Sequence, residues 1–171
     1  MIEIIPFGDI EEGLLRDICR GIQNIFGIPC GVSKERLLVP EEAYHEDRGQ
    51  YDSRPFLEAL HSYSKKSKAE KVLGITDKDL FTQTLNFIFG QAYMRGKVCV
   101  MSLHRMEPSF YGKEDPPLFL DRAVKEAVHE LGHCFGLNHC TDKSCVMVFS
   151  NSIYDVDRKT ERFCPRCKER L

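Results

Sequence analysis

The stretch His129-Glu130-Leu131-Gly132-His133-Cys134-Phe135-Gly136-Leu137-Asn138-His139-Cys140 restricts this chain more than any other. His129 and His133 stand four residues apart, so on a helix their imidazoles share one face, one turn from each other. Two neutral imidazoles placed that way can bind one metal ion from the same side. Glu130 follows His129 directly and can reach a water on such an ion without being a ligand. Gly136, three residues after His133, can adopt left-handed backbone and let the chain leave the helix. The turn can then swing His139 back as a third nitrogen ligand. Histidines scattered on a helix by chance would not bring a base, a turn and a third ligand with them.

The rest of the chain has to supply a scaffold for that helix. With 171 residues and 42% hydrophobic side chains, it is long enough for one domain around one sizeable core. A formal net charge of −2 gives no general attraction to nucleic acid or to anionic lipid, so neither partner is expected. The basic residues from Arg158 to Arg170 are interrupted by Glu161 and Glu169, which weakens an RNA reading of that tail. Met1–Pro6 lacks a basic region followed by a long apolar segment, and no apolar run approaches membrane-spanning length. A cytoplasmic protein with no membrane partner is expected. The sequence leaves the oligomeric state open.

Residues 2–7 read as a first strand, and Asp9 with Glu12 suggests a capping box opening a helix that ends at Gly27. A short strand fits within 30–39, a second helix opens near Ser53 and Pro55, and Lys71–Ile75 reads as a strand. Residues 86–93 and 98–103 form an expected hairpin, and the metal helix is expected over 118–137. Strands alternating with helices suggest a mixed sheet packed by helices.

Eight cysteines divide into two groups. Cys19, Cys30, Cys99 and Cys134 sit in apolar surroundings and read as small buried hydrophobes. Cys140, Cys145, Cys164 and Cys167 have spacings suited to metal thiolates. Four sulfurs make a closed tetrahedral site with a structural role. Zinc suits it, and iron is chemically compatible too. A redox role for Cys164 and Cys167 is the weaker reading, because two partner cysteines stand ready.

The histidine cluster differs in leaving one position open for water. Zinc lowers that water's pKa, and Glu130 can take its proton as the water attacks a carbonyl. Peptide-bond hydrolysis is the reaction this motif points to. No Asp or Glu completes a two-histidine, one-carboxylate triad at this spacing, which favours zinc over iron, with Glu161 as the alternative third ligand. Met147, eight residues after His139, suits a methionine turn beneath the ligands. His104 is a minor site candidate.

These residues resemble the archaemetzincins, a branch of the metzincin metallopeptidases. The resemblance runs through His129-Glu130-x-x-His133-x-x-Gly136-x-x-His139-Cys140, then Cys145-x-Met147 and Cys164-x-x-Cys167, with a weaker likeness at Gly74–Leu80. It implies an α/β (α+β) fold with a zincin-like mixed sheet, packed helices, an active-site helix and a C-terminal four-cysteine segment. It implies a single catalytic domain over 1–171 that includes a structural zinc segment at 140–167. His129, His133 and His139 would bind catalytic zinc, Glu130 would be the general base, and Met147 would occupy the methionine turn. Tyr154 is a minor candidate for an oxyanion donor by resemblance to metzincins that use a tyrosine after the methionine turn. The four cysteines would hold a second zinc, making two ions per chain. The substrate would be a peptide or protein, laid along an edge strand for which 86–93 is the candidate. A non-catalytic zinc-containing peptide- or protein-binding module is the alternative. The resemblance does not choose between endopeptidase and aminopeptidase action.

Overall fold

Short runs of branched residues build the centre of the molecule. The computed structural model describes residues 1–171. Its elements are β1 (Ile2–Pro6), α1 (Glu12–Phe26), β2 (Cys30–Val32), β3 (Tyr44–His45), β4 (Gln50–Asp52), α2 (Ser53–Ser64), β5 (Lys71–Thr76), β6 (Leu80–Thr82), β7 (Leu85–Ile88), β8 (Gly90–Ala92), β9 (Val98–Ser102), α3 (Pro116–Cys134), α4 (Ile153–Arg158) and α5 (Pro165–Lys168). The main sheet has the order β2-β1-β5-β9-β8. Its first four strands are parallel, and β8 runs antiparallel to β9 at the edge. A smaller sheet has the order β3-β4-β6-β7.

Parallel strands covered on both faces need apolar residues at nearly every position. Accordingly Ile4, Ile5, Leu73, Ile75, Val100 and Met101 are all completely buried. One face of the sheet packs against α1 and α3, with Ile18, Ile22, Val128 and Leu131 in the shared core. The other face packs against α2 through Phe56 and Leu60, with Phe7 beside them. The architecture is the mixed α/β sheet with packed helices and a C-terminal four-cysteine cluster that the sequence implied. No helix is long and apolar enough to cross a membrane.

Several boundaries differ from expectation for identifiable reasons. The Asp9 capping box does not form: α1 starts at Glu12, after Glu11, with no side-chain cap. The amide of Gly8 is held by the Leu37 carbonyl at 2.9 Å, so the chain stays beside the sheet and enters the helix later. The 30–39 strand is confined to Cys30–Val32, with an isolated bridge from Leu37 to Phe7. The expected strand over 86–93 is two strands. Leu85–Ile88 pairs with β6, whereas Gly90–Ala92 pairs with β9, so the chain changes sheets at Phe89. Of the four cysteines read as core, Cys19, Cys99 and Cys134 are buried and Cys30 is half-buried.

Candidate active site and a second metal-binding cluster

The helix α3 begins with Pro116 and Pro117 in its first turn, and the Asp115 carboxylate accepts from the Leu118 amide at 3.1 Å. Its second half is buried without interruption from Arg122 to Cys134. The helix stops because Gly136 takes a φ of 97°. The Gly136 amide donates to the His133 carbonyl at 3.0 Å and the Leu137 amide to the Gly132 carbonyl at 2.9 Å, a complete Schellman closure. That turn also serves the histidine before it, because His133 Nδ1 lies 2.7 Å from the Leu137 carbonyl. His129 Nδ1 lies 2.8 Å from the Val146 carbonyl.

A carbonyl oxygen only accepts, so each Nδ1 carries its proton and each Nε2 presents a lone pair. The two Nε2 atoms are 3.1 Å apart. Two lone pairs cannot hydrogen-bond to each other, and a cation between them turns repulsion into coordination. Two zinc–nitrogen bonds of about 2.0–2.1 Å at a tetrahedral angle would separate the nitrogens by roughly 3.3 Å. The third nitrogen comes from His139, and the ligand atoms of the three histidines all lie within 4.8 Å of one another. Burial holds all three imidazoles below the usual histidine range, in the neutral form a metal requires. The donor set therefore fits zinc. Met147 lies directly beneath, fully buried. A Cβ on Gly132 would stand only 2.5 Å from Met147 Sδ, so the sulfur packs against the helix backbone between the two histidines.

Glu130 is 4% exposed, and its Oε2 is buried without a hydrogen-bond partner. Glu126, one turn earlier, is equally buried. Burial pushes both carboxyls up, Glu130 further because the Glu126 charge adds to it. The ammonium of Lys159, also buried, opposes this rise. These groups and the histidines floor a cavity of about 440 Å³, with β8 along one wall and Phe149–Asn151 along the other. His139 packs against Phe149 with ring centroids 5.0 Å apart. His104 stands outside, beside Phe110. Tyr154 is 71% exposed on α4 and does not line the cavity. The sequence reading missed Glu126 and Lys159. Glu126 had a signal, since it lies four residues before Glu130 on the same helical face. Lys159 had none, being separated from Glu130 by a loop and a short helix.

The four cysteines form the second cluster, their sulfurs within 4.8 Å of one another. Cys140 Sγ and Cys164 Sγ are 3.8 Å apart. Zinc–sulfur bonds of about 2.3 Å in a tetrahedron give roughly the same separation. Backbone amides point at the sulfurs: Asp142 N–H at Cys140 and Cys164 N–H at Cys145, both at 3.4 Å. The backbone amide of Cys167, assisted by the neighbouring thiols, pulls the Cys164 thiol down to about 7. Four sulfur donors fit a closed tetrahedral ion and leave no position for water.

Two neutral imidazoles crowded together beside a buried glutamate place the chain, by class, among the zinc metallopeptidases. Comparison with known proteins agrees. The model for Peptidase family M54 matches residues 15–171. The archaemetzincin of Methanopyrus kandleri is 48% identical over 141 residues, covering 82% of this chain and 76% of the relative. That of Pyrococcus furiosus is 42% identical over 176 residues, covering 100% of this chain and 92% of the relative. The solved structure of a zinc-dependent peptidase from Methanocorpusculum labreanum matches with a TM-score of 0.90 at 29% identity, covering 99% of each chain. The chain belongs to Peptidase family M54, the archaemetzincins.

Proposed function

We propose that residues 1–171 form one catalytic domain that hydrolyses peptide bonds, with Glu130 activating the attacking water and His129, His133 and His139 holding the catalytic zinc. The observation that carries this reading is the unpartnered buried oxygen of Glu130 beside two Nε2 lone pairs held 3.1 Å apart. Zinc bound there supplies Lewis acidity, polarising the peptide carbonyl and making water more acidic. Glu130 accepts the water proton at its carboxylate as the water attacks, then delivers it to the departing amine. The bonds from Nδ1 to the Val146 and Leu137 carbonyls hold His129 and His133 in the tautomer that coordinates. Met147 and Gly136 support the site, one by packing under the helix and the other by turning the chain toward His139.

The edge strand β8 offers backbone groups to an extended peptide, the mode by which a strand is added to a sheet. This narrows the expected substrate strand from 86–93 to Gly90–Ala92. Cys140, Cys145, Cys164 and Cys167 hold a second, structural zinc that clips the 140–167 segment together. The chain thus carries two zinc ions. A binding module without catalysis would have no use for a buried, unpartnered carboxylate at the ligands, which favours the enzyme. The test is incubation of a mixed peptide library with the zinc-loaded and the chelator-treated protein, followed by mass spectrometry for free amino acids and internal fragments. Zinc-dependent cleavage is expected. A folded, fully loaded protein that cleaves none of the peptides would overturn the hydrolase reading.

A further inference from the structure

The cleft contains more buried donor capacity than the hydrolytic step uses. Lys159, at the end of α4, is 2% exposed and lines the cavity. Its ammonium has three N–H groups and makes a single long bond, 3.3 Å to the Val148 carbonyl. Lys125 is buried almost as deeply, yet it pairs with Asp121 at 2.6 Å, whereas Lys159 is in no ion pair. Ser150, which lines the same cavity, has its Oγ buried with no partner at all. Unpaired buried donors cost free energy until an acceptor arrives.

The charge of that acceptor follows from the groups around it. Glu126 and Glu130 face the same cavity as Lys159. A divalent ion on the histidines and the Lys159 ammonium together outweigh both carboxylates even when both are ionised. Burial pushes the Glu126 carboxyl up and the Lys159 ammonium down, and an incoming carboxylate would favour the charged form of Lys159. An apolar substrate group would leave the ammonium and the hydroxyl unpaired, and a cationic one would meet like charge. A neutral amide would supply an acceptor without charge, whereas a carboxylate supplies both. Accepting that the cavity is the substrate cleft, as proposed above, we infer that Lys159 and Ser150 form a carboxylate-binding subsite that selects substrates by an acidic side chain or a free C-terminus.

The experiment measures binding, so it does not depend on turnover. Zinc-loaded protein carrying Glu130→Gln is titrated by calorimetry with two matched pairs of acetylated alanine pentapeptides. One pair has Glu or Gln in the middle and an amidated end; the other ends in a carboxylate or an amide. The acid member of one pair should bind about ten-fold more tightly than its amide, and that pair identifies the source of the carboxylate. Lys159→Met should bring the ratio to about one, and Ser150→Ala should lower it by roughly two- to three-fold. Equal affinity for acid and amide in both pairs would overturn the subsite. So would a ratio that survives Lys159→Met, which would assign the preference to the metal. Should Lys159→Met fail to fold, Lys159→Gln, which removes the charge and keeps a polar side chain, carries the same test, and an unchanged ratio there is equally fatal. Protein that selects the acid probes while its unmutated form cleaves no peptide would sink the hydrolase reading and leave the subsite standing.

Discussion

His139 and Cys140 are neighbours in sequence, yet they belong to clusters of opposite character. The histidine cluster draws two donors from a long helix and one from the loop after it. The cysteine cluster draws its four donors from loops and from the short helix α5. Nitrogen donors on one side of a helix leave the far side open to the cavity, whereas four sulfurs surround an ion. The electrostatics differ in the same sense. The imidazoles are kept neutral by burial, while Cys164 is drawn toward its thiolate by a backbone amide. His129 and His133 are held by a long helix, whereas the cysteines stand mainly on loops that are themselves anchored in the core through Cys145, Val146 and Met147.

The sharpest way to separate the clusters is to remove the base without touching a donor. Glu130→Gln should lower turnover roughly a hundred- to ten-thousand-fold while both metals stay bound. An unchanged rate per zinc would show that hydrolysis does not pass through this carboxylate. Cys164→Ser attacks the other side of the comparison. It should cost about 3 kcal/mol or more of stability and lower the melting temperature by roughly 10 °C. Proteolysis should quicken near the C-terminus, and catalytic zinc should fall secondarily, because the Cys140 amide donates to the Met147 carbonyl at 2.9 Å and couples the two loops. Wild-type melting and full metal content, combined with lost turnover, would give Cys164 a chemical role instead.

His139→Ala should be selective, moving zinc content from about two atoms per chain toward one while the cysteine ion persists. Elemental analysis reads this, and equal loss of both ions would mean the clusters are not independent. The smallest effect concerns the acid pair on the helix. Burial raises the Glu126 carboxyl in the folded protein, so its protonated form is favoured there. Its contribution to stability is fully present below the unfolded carboxylate pKa and is lost as pH rises through the folded value. Glu126→Gln should therefore make the metal-free protein about 1 kcal/mol more stable at neutral pH, with the difference shrinking toward pH 4. Denaturant titrations at several pH values measure it, and a gain that grew on acidification would have the wrong sign.

Much of this was legible before folding was considered. The spacing of His129 and His133, Gly136 as the exit and the four cysteines each encode a local geometry, because helix periodicity and left-handed backbone are properties of short segments. The sheet's central strands were legible as well, since Lys71–Thr76 and Val98–Ser102 are apolar runs. The clearest failure lies where two distant segments compete for one strand. Residues 85–92 look continuous in sequence, but β6 and β9 claim different halves.

The sequence by itself determined the donor types, their spacing and the family, since these depend on which residues follow one another. The tertiary structure alone decided what surrounds the donors. It brought the Val146 carbonyl to His129 and placed Met147 beneath Gly132. It also buried Lys159 in the cleft with Glu126 and Glu130. In the chain these residues are separated by loops whose course is set by packing against α3, and no local rule records where such a loop returns. The reason is physical: coordination spacing is a short-range property of a helix or a knuckle, whereas burial and the fields that go with it exist only once the layers have closed.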